Sequence, residues 1–108
     1  MTSAEFQREI DWHVENLESY IDGASREDGG EGNLLDYFCD AAGIGYREDA
    51  NGEYESAFVY LTWGNPTIEL DTATGEIYGH WWNFHGSAFL SDRGKKAVNE
   101  FLKEVHDC

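Results

Sequence analysis

The sequence is short of positive charge, of proline, of cysteine and of long apolar runs, and each shortage narrows what the chain can be. Seven lysines and arginines stand against 22 aspartates and glutamates in 108 residues, for a net charge of -15. A surface that contacts phosphates needs a basic patch, so direct nucleic-acid binding is not expected. The two cysteines, Cys39 and Cys108, are too few for a disulfide framework, and both are read as free thiols. No apolar run approaches the roughly 18 residues of a membrane helix, and no charged-then-apolar leader opens the chain. The expectation is a cytosolic protein with no membrane partner. Also missing are a glycine-rich phosphate loop, Cys-x-x-Cys, His-Glu-x-x-His and a nucleophile elbow. Neither an enzyme nor a bound cofactor or metal is therefore expected.

What is present argues for a folded chain. A hydrophobic content of 41% with 15% aromatic residues separates it from disordered acidic tails, and its length fits one domain, residues 1–108. The stretch Ala57 to Asn83 is the richest in rings and reads as a run of strands. Phe58, Tyr60 and Thr62 alternate with Val59, Leu61 and Trp63. A Gly64-Asn65-Pro66 turn precedes a strand from Thr67 to Asp71. A Thr72-Ala73-Thr74-Gly75 turn then leads to a strand from Glu76 to Asn83.

In chain order, Thr2 to Asp22 reads as a helix opened by a capping box of Thr2 and Glu5, with Phe6, Ile10, Val14, Leu17 and Ile21 as its buried stripe. On another face Asp11, Glu15, Glu18 and Asp22 recur at i, i+4, i+7 and i+11, and no lysine answers them. Like charges at this spacing each cost a helix roughly 0.2 to 0.5 kcal/mol, so the row points to a use beyond stability. Carboxylates standing roughly 5 to 6 Å apart imitate the phosphates of a nucleic-acid strand. The plain alternative is a solvated polar face in an acidic protein.

Gly23 to Asn33 reads as an acidic loop that adds Glu27, Asp28 and Glu31, without the ligand spacing of an EF-hand. Asn33 is read as the cap of a helix from Leu34 to Ala42, with Leu34, Leu35 and Phe38 inward and Cys39 a small buried hydrophobe. Gly45 to Asn51 is the first strand of a hairpin turning at Asn51-Gly52 into a strand opened by Tyr54, and Glu48, Asp49 and Glu53 form a second acidic patch at its tip. After a connection at His85-Gly86-Ser87, Ser91 caps a last helix from Asp92 to Val105, with Ala97, Val98, Phe101, Leu102 and Val105 as its stripe.

Charge is polarised along the chain. Met1 to Asp40 carries eleven acids against Arg8 and Arg26 (2 - 11 = -9), whereas Glu76 onward carries five acids against four bases (4 - 5 = -1). Adaptation to high salt would spread acids evenly, and a basic partner would concentrate them. His80 and His85, with Glu69 or Asp71 nearby, are the candidates for acid-base chemistry, but five residues apart on one strand they point to opposite faces. Trp81 and Trp82 are adjacent, so one of them faces away from the core.

Leu61-Thr62-Trp63-Gly64-Asn65-Pro66 resembles a Leu-Thr-Trp-Gly-Gly-Pro-like strand end in small proteins of phages and plasmids, over about the central third of the chain and departing at Asn65. In size and acidity the chain also looks like phage anti-CRISPR and anti-restriction proteins. That resemblance implies a DNA-like surface, a basic nucleic-acid-binding protein or nuclease complex as partner, and the cytoplasm of a bacterial host. The reading is an α+β domain, α-α-β-β-β-β-α, with a four-stranded antiparallel meander packed by N-terminal and C-terminal helices. The alternatives are an immunity protein against a basic nuclease toxin and a halophilic housekeeping domain.

Overall fold

The computed structural model describes residues 2–24, 30–64 and 66–107, with the side chains at 23–24 and 30–33 excepted. Helix α1 (Ser3–Ala24) begins as the sequence dictates. The Thr2 hydroxyl accepts the Glu5 N–H at 3.1 Å, and the Glu5 carboxylate accepts the Thr2 N–H at 3.3 Å, closing the capping box. Phe6, Ile10, Leu17 and Ile21 are buried, and Val14 packs against them. Helix α2 (Gly30–Cys39) starts before Asn33, so Asn33 lies inside it rather than capping it. It also ends before Ala42, because the Ala42 N–H is already bonded to the Tyr60 carbonyl of the sheet at 2.8 Å.

The sheet has five strands in the order β1 (Gly43–Glu48), β2 (Tyr54–Thr62), β3 (Thr67–Asp71), β4 (Glu76–Trp81) and β5 (Phe84–Phe89), an antiparallel meander. The fold is α+β as expected, with one strand more. That strand, β5, occupies the His85-Gly86-Ser87 segment read as a connection, and the strand expected to reach Asn83 instead turns at Trp82-Asn83. Helix α3 (Asp92–Asp107) closes the chain, and the Ser91 hydroxyl caps it by accepting the Gly94 N–H at 3.0 Å.

All three helices lie on one face of the sheet. That face is built from Val59, Ile68, Leu70 and Ile77, which meet Phe6, Ile10, Leu17, Leu34, Phe38, Val98 and Leu102 in a single core. Helix α1 sits across β4 and β5 at a pair of facing glycines, Gly79 and Gly86. A Cβ on Gly79 would lie 3.0 Å from Ile10 Cδ1 and 2.8 Å from the Thr67 carbonyl, so only glycine lets the helix approach this closely. Gln7 locks the seat, donating to the Ser87 carbonyl at 2.8 Å and accepting the Ser87 N–H at 3.3 Å, which covers part of the free edge of β5.

Four side chains depart from the sequence reading. Leu35 is 52% and Val105 40% exposed, because each falls at the margin of its helix's buried stripe. Cys39 is exposed at the end of α2 and is a free thiol rather than a buried hydrophobe, while Cys108 lies outside the described residues. Trp63 is 71% exposed and meets Tyr60 edge-on at 4.8 Å instead of following Val59 and Leu61 inward. An irregularity in the β2–β3 register between Tyr60 and Thr62 breaks the alternation there. Asn65 of the preceding turn lies outside the described residues.

Candidate functional site

The carboxylate row of α1 is present, and half of it is tied to α3. Asp11 and Glu15 are exposed. Asp11 accepts a hydrogen bond from the neutral Gln7 amide at 3.1 Å. Glu18 turns instead to the start of α3, where its Oε1 accepts the Ser91 N–H at 2.8 Å and the Ser91 hydroxyl at 3.0 Å. A carboxylate placed there also meets the positive end of the helix dipole. The close fit requires Gly94, since a Cβ at that position would come within 2.6 Å of Glu18 Oε1. Asp22 is held by Arg93 at 2.7 Å. The row that no lysine answers in the sequence is thus answered by an arginine 71 residues away.

The surface beside Asp11 and Glu15 carries a residue that the row alone does not reveal. Trp12 is 53% exposed, with its ring edge-on to His13 at 5.0 Å. A large ring open to water among carboxylates has the character of an interface anchor, and its offset from the buried stripe is the sequence signal that marks it. Trp12, His13, Asn16, Tyr20, Tyr37, Asp40, Ala41 and Leu61 line a shallow groove of about 170 Å³ between α1, α2 and the end of β2. That is below the roughly 300 Å³ at which small-molecule pockets begin. Burial lowers the His13 pKa against the opposing pull of Glu9, and burial with the nearby Tyr20 raises that of Tyr37, so both rings are neutral in ordinary buffer. Asp36 on α2 and Asp40 just after it add exposed carboxylates. Glu27 and Asp28 lie outside the described residues, as does the Glu31 side chain.

The second acidic patch forms at the β1–β2 turn, and of its three members one shapes the turn and another is tied to α3. Asp49 Oδ1 accepts the N–H groups of Asn51 and Glu53, at 2.8 and 3.1 Å, and shapes the loop. Glu48 meets His106 Nε2 of α3 at 2.7 Å. Glu53 is exposed. Arg93 and His106 bracket α3 about 20 Å apart at 1.5 Å per residue, so the patches stand at opposite ends of that helix. Lys96 and Lys103 lie between them, paired with Glu100 and Asp107. The two patches are therefore separate surfaces.

The histidines come together in a way the sequence does not suggest. Because the chain turns at Trp82-Asn83, His80 and His85 face each other across β4 and β5, with ring centres 6.3 Å apart on the same side. Neither candidate acid becomes a partner for them. Asp71 is engaged by Arg47 at 2.8 Å, Glu69 lies opposite Tyr60 and Tyr78, and His80 faces Thr67 on β3. Burial alone would raise the Asp71 pKa, but hydrogen bonds from Arg47 and the Ala73 N–H, with the Arg47 charge, hold it below the ordinary carboxylate value. Among the described residues no three histidine, cysteine, aspartate or glutamate side chains converge on one point, and no helix is long and apolar enough to cross a membrane. No protein family, curated protein or solved structure matches this chain.

Proposed function

We propose that this protein is a non-enzymatic inhibitor that offers a carboxylate surface, in place of nucleic acid, to a basic nucleic-acid-binding protein or nuclease complex of a bacterial defence system. The observation that carries this reading is the exposed Trp12 beside the row of Asp11 and Glu15, on a helix whose only lysine or arginine is Arg8. The charge balance supports it. Arg47, Arg93, Lys96 and Lys103 each hold a carboxylate of the chain itself, which leaves Asp11, Glu15, Asp36 and Asp40 exposed with no cation paired to them among the described residues. Uncompensated carboxylates steer a basic partner at long range, and a half-buried tryptophan supplies short-range affinity that charge alone does not. Glu18, Asp22, Glu48 and Asp49 contribute to the field while doing structural work.

The test is a pull-down from bacterial lysate with the tagged protein, against an Asp11→Lys/Glu15→Lys variant. The wild type should capture a basic nucleic-acid-binding complex that salt and added DNA release, and the variant should capture it at least about tenfold less. Equal capture by the two proteins would remove α1 from the interface. A chain that captures nothing basic and folds only in high salt would owe its acidity to its surroundings.

A further inference from the structure

The sheet face turned away from the helices carries a repeated arrangement, and the chain fills only one copy of it. On that face Phe58 of β2 stands directly opposite Asp71 of β3, and two residues along, Tyr60 stands directly opposite Glu69. At the first pair, Arg47 of β1 sets its guanidinium 5.5 Å from the centre of the Phe58 ring. The same group holds Asp71 with Nη1 at 2.8 Å and Nη2 at 3.3 Å. A planar guanidinium can lie on a ring and grip a carboxylate with two donors at once, and an ammonium cannot.

At the second pair the position on β1 equivalent to Arg47 is Gly45. A Cβ there would come within 2.2 Å of the Phe58 ring, so the chain has no room for a cation of its own. Gly43, the next residue of β1 on that face, lies opposite Tyr60 and leaves it uncovered. Glu69 is flanked on its other side by Tyr78 of β4, and Trp63 extends the platform beyond Tyr60. The Tyr78 hydroxyl, pushed up to about 12 by burial and by the neighbouring Glu69 carboxylate, stays neutral beside it. Among the described residues no lysine or arginine is paired with Glu69.

We propose that Tyr60, Glu69 and Tyr78 form a receptor for an arginine side chain on a basic polypeptide segment of a partner, in the arrangement that Arg47 makes with Phe58 and Asp71. Charge selects this occupant. A second copy laid face to face would bring Glu69 and Glu76 against carboxylates of an identical chain of net charge -15, whereas an arginine-bearing segment meets complementary charge. The receptor lies on the opposite side of the sheet from α1 and stands whether or not the α1 surface binds as proposed.

The experiment is an NMR titration of isotope-labelled protein with an amidated hexapeptide of alternating arginine and glycine, beside lysine and citrulline counterparts. The arginine peptide should shift the amide signals of Tyr60, Glu69 and Tyr78 and the Trp63 indole, and the lysine peptide should bind more weakly. Glu69→Gln and Tyr60→Leu should each lower affinity about fivefold, the order expected of one ion pair or one ring contact at a half-exposed site. The undisturbed remainder of each variant's spectrum reports that it is folded. Equal binding of arginine and lysine peptides, or shifts spread over the carboxylates of α1, would reduce the effect to general electrostatics and overturn the assignment. Shifts that grow with protein concentration alone would give the face to a second copy, and absence of shifts would leave it no ligand of this class.

Discussion

Glu18 shows how one carboxylate of a row can belong to the fold rather than to a partner. Its bonds to the Ser91 N–H and hydroxyl fix the start of α3, so Glu18→Ala should lower stability by about 1 to 2 kcal/mol in urea unfolding. Glu15→Ala, which breaks no such contact, should stay within about 0.5 kcal/mol of wild type. Equal effects would remove the distinction. The spacing of the row was legible because helical periodicity is local. Its answer was not, since Ser91 and Arg93 are brought to α1 only by tertiary packing. Trp82 is a second such case, with φ of 54° at the first position of a two-residue turn, where a bulky side chain is strained and glycine is usual. Trp82→Gly should raise stability by about 0.5 to 1 kcal/mol, and a loss would mean that the exposed ring packs more than its 73% exposure implies.

Among the elements, the helices were legible and one strand was not. The Thr2–Glu5 box and the Ser91 cap are written in adjacent residues and form as read. The β4–β5 hairpin was hidden because Trp82-Asn83 lacks the glycine that marks a two-residue turn, so an aromatic run reads straight through it. The far end of α3 is pinned to the hairpin by His106, which meets Glu48 at 2.7 Å and Asp107 at 3.0 Å while lying against the Tyr46 and Tyr54 rings. Hydrogen bonds to Asp107 and then Glu48 raise its pKa above the ordinary 6.5. A group raised on folding stabilises fully below its unfolded pKa and loses that contribution as pH climbs through the folded one. The stability advantage of wild type over His106→Gln should therefore be largest below pH 6 and shrink on raising the pH through neutrality, followed by urea unfolding across that range. An advantage constant with pH would mean that the ring acts by packing alone.

Across the whole molecule, charge asymmetry is visible in how the cations are used, with pairs on the sheet, within α3 and from Arg93 to Asp22 at the end of α1, and none to Asp11, Glu15 or Asp36 among the described residues. Two features of the surface were beyond sequence reasoning. The two acidic patches stand at opposite ends of α3, and the ring-bearing side of the sheet is left bare because all three helices pack on the other. Mimicry of nucleic acid makes one demand that general acidity does not, namely that protein and nucleic acid exclude each other from the same groove. The most direct measurement is a titration of this protein into the captured complex already bound to labelled DNA or RNA, read by anisotropy. The account predicts that the nucleic acid is displaced, less so as salt rises, and that Asp11→Lys/Glu15→Lys displaces little. A complex that holds both together, neither weakening the other, would contradict it.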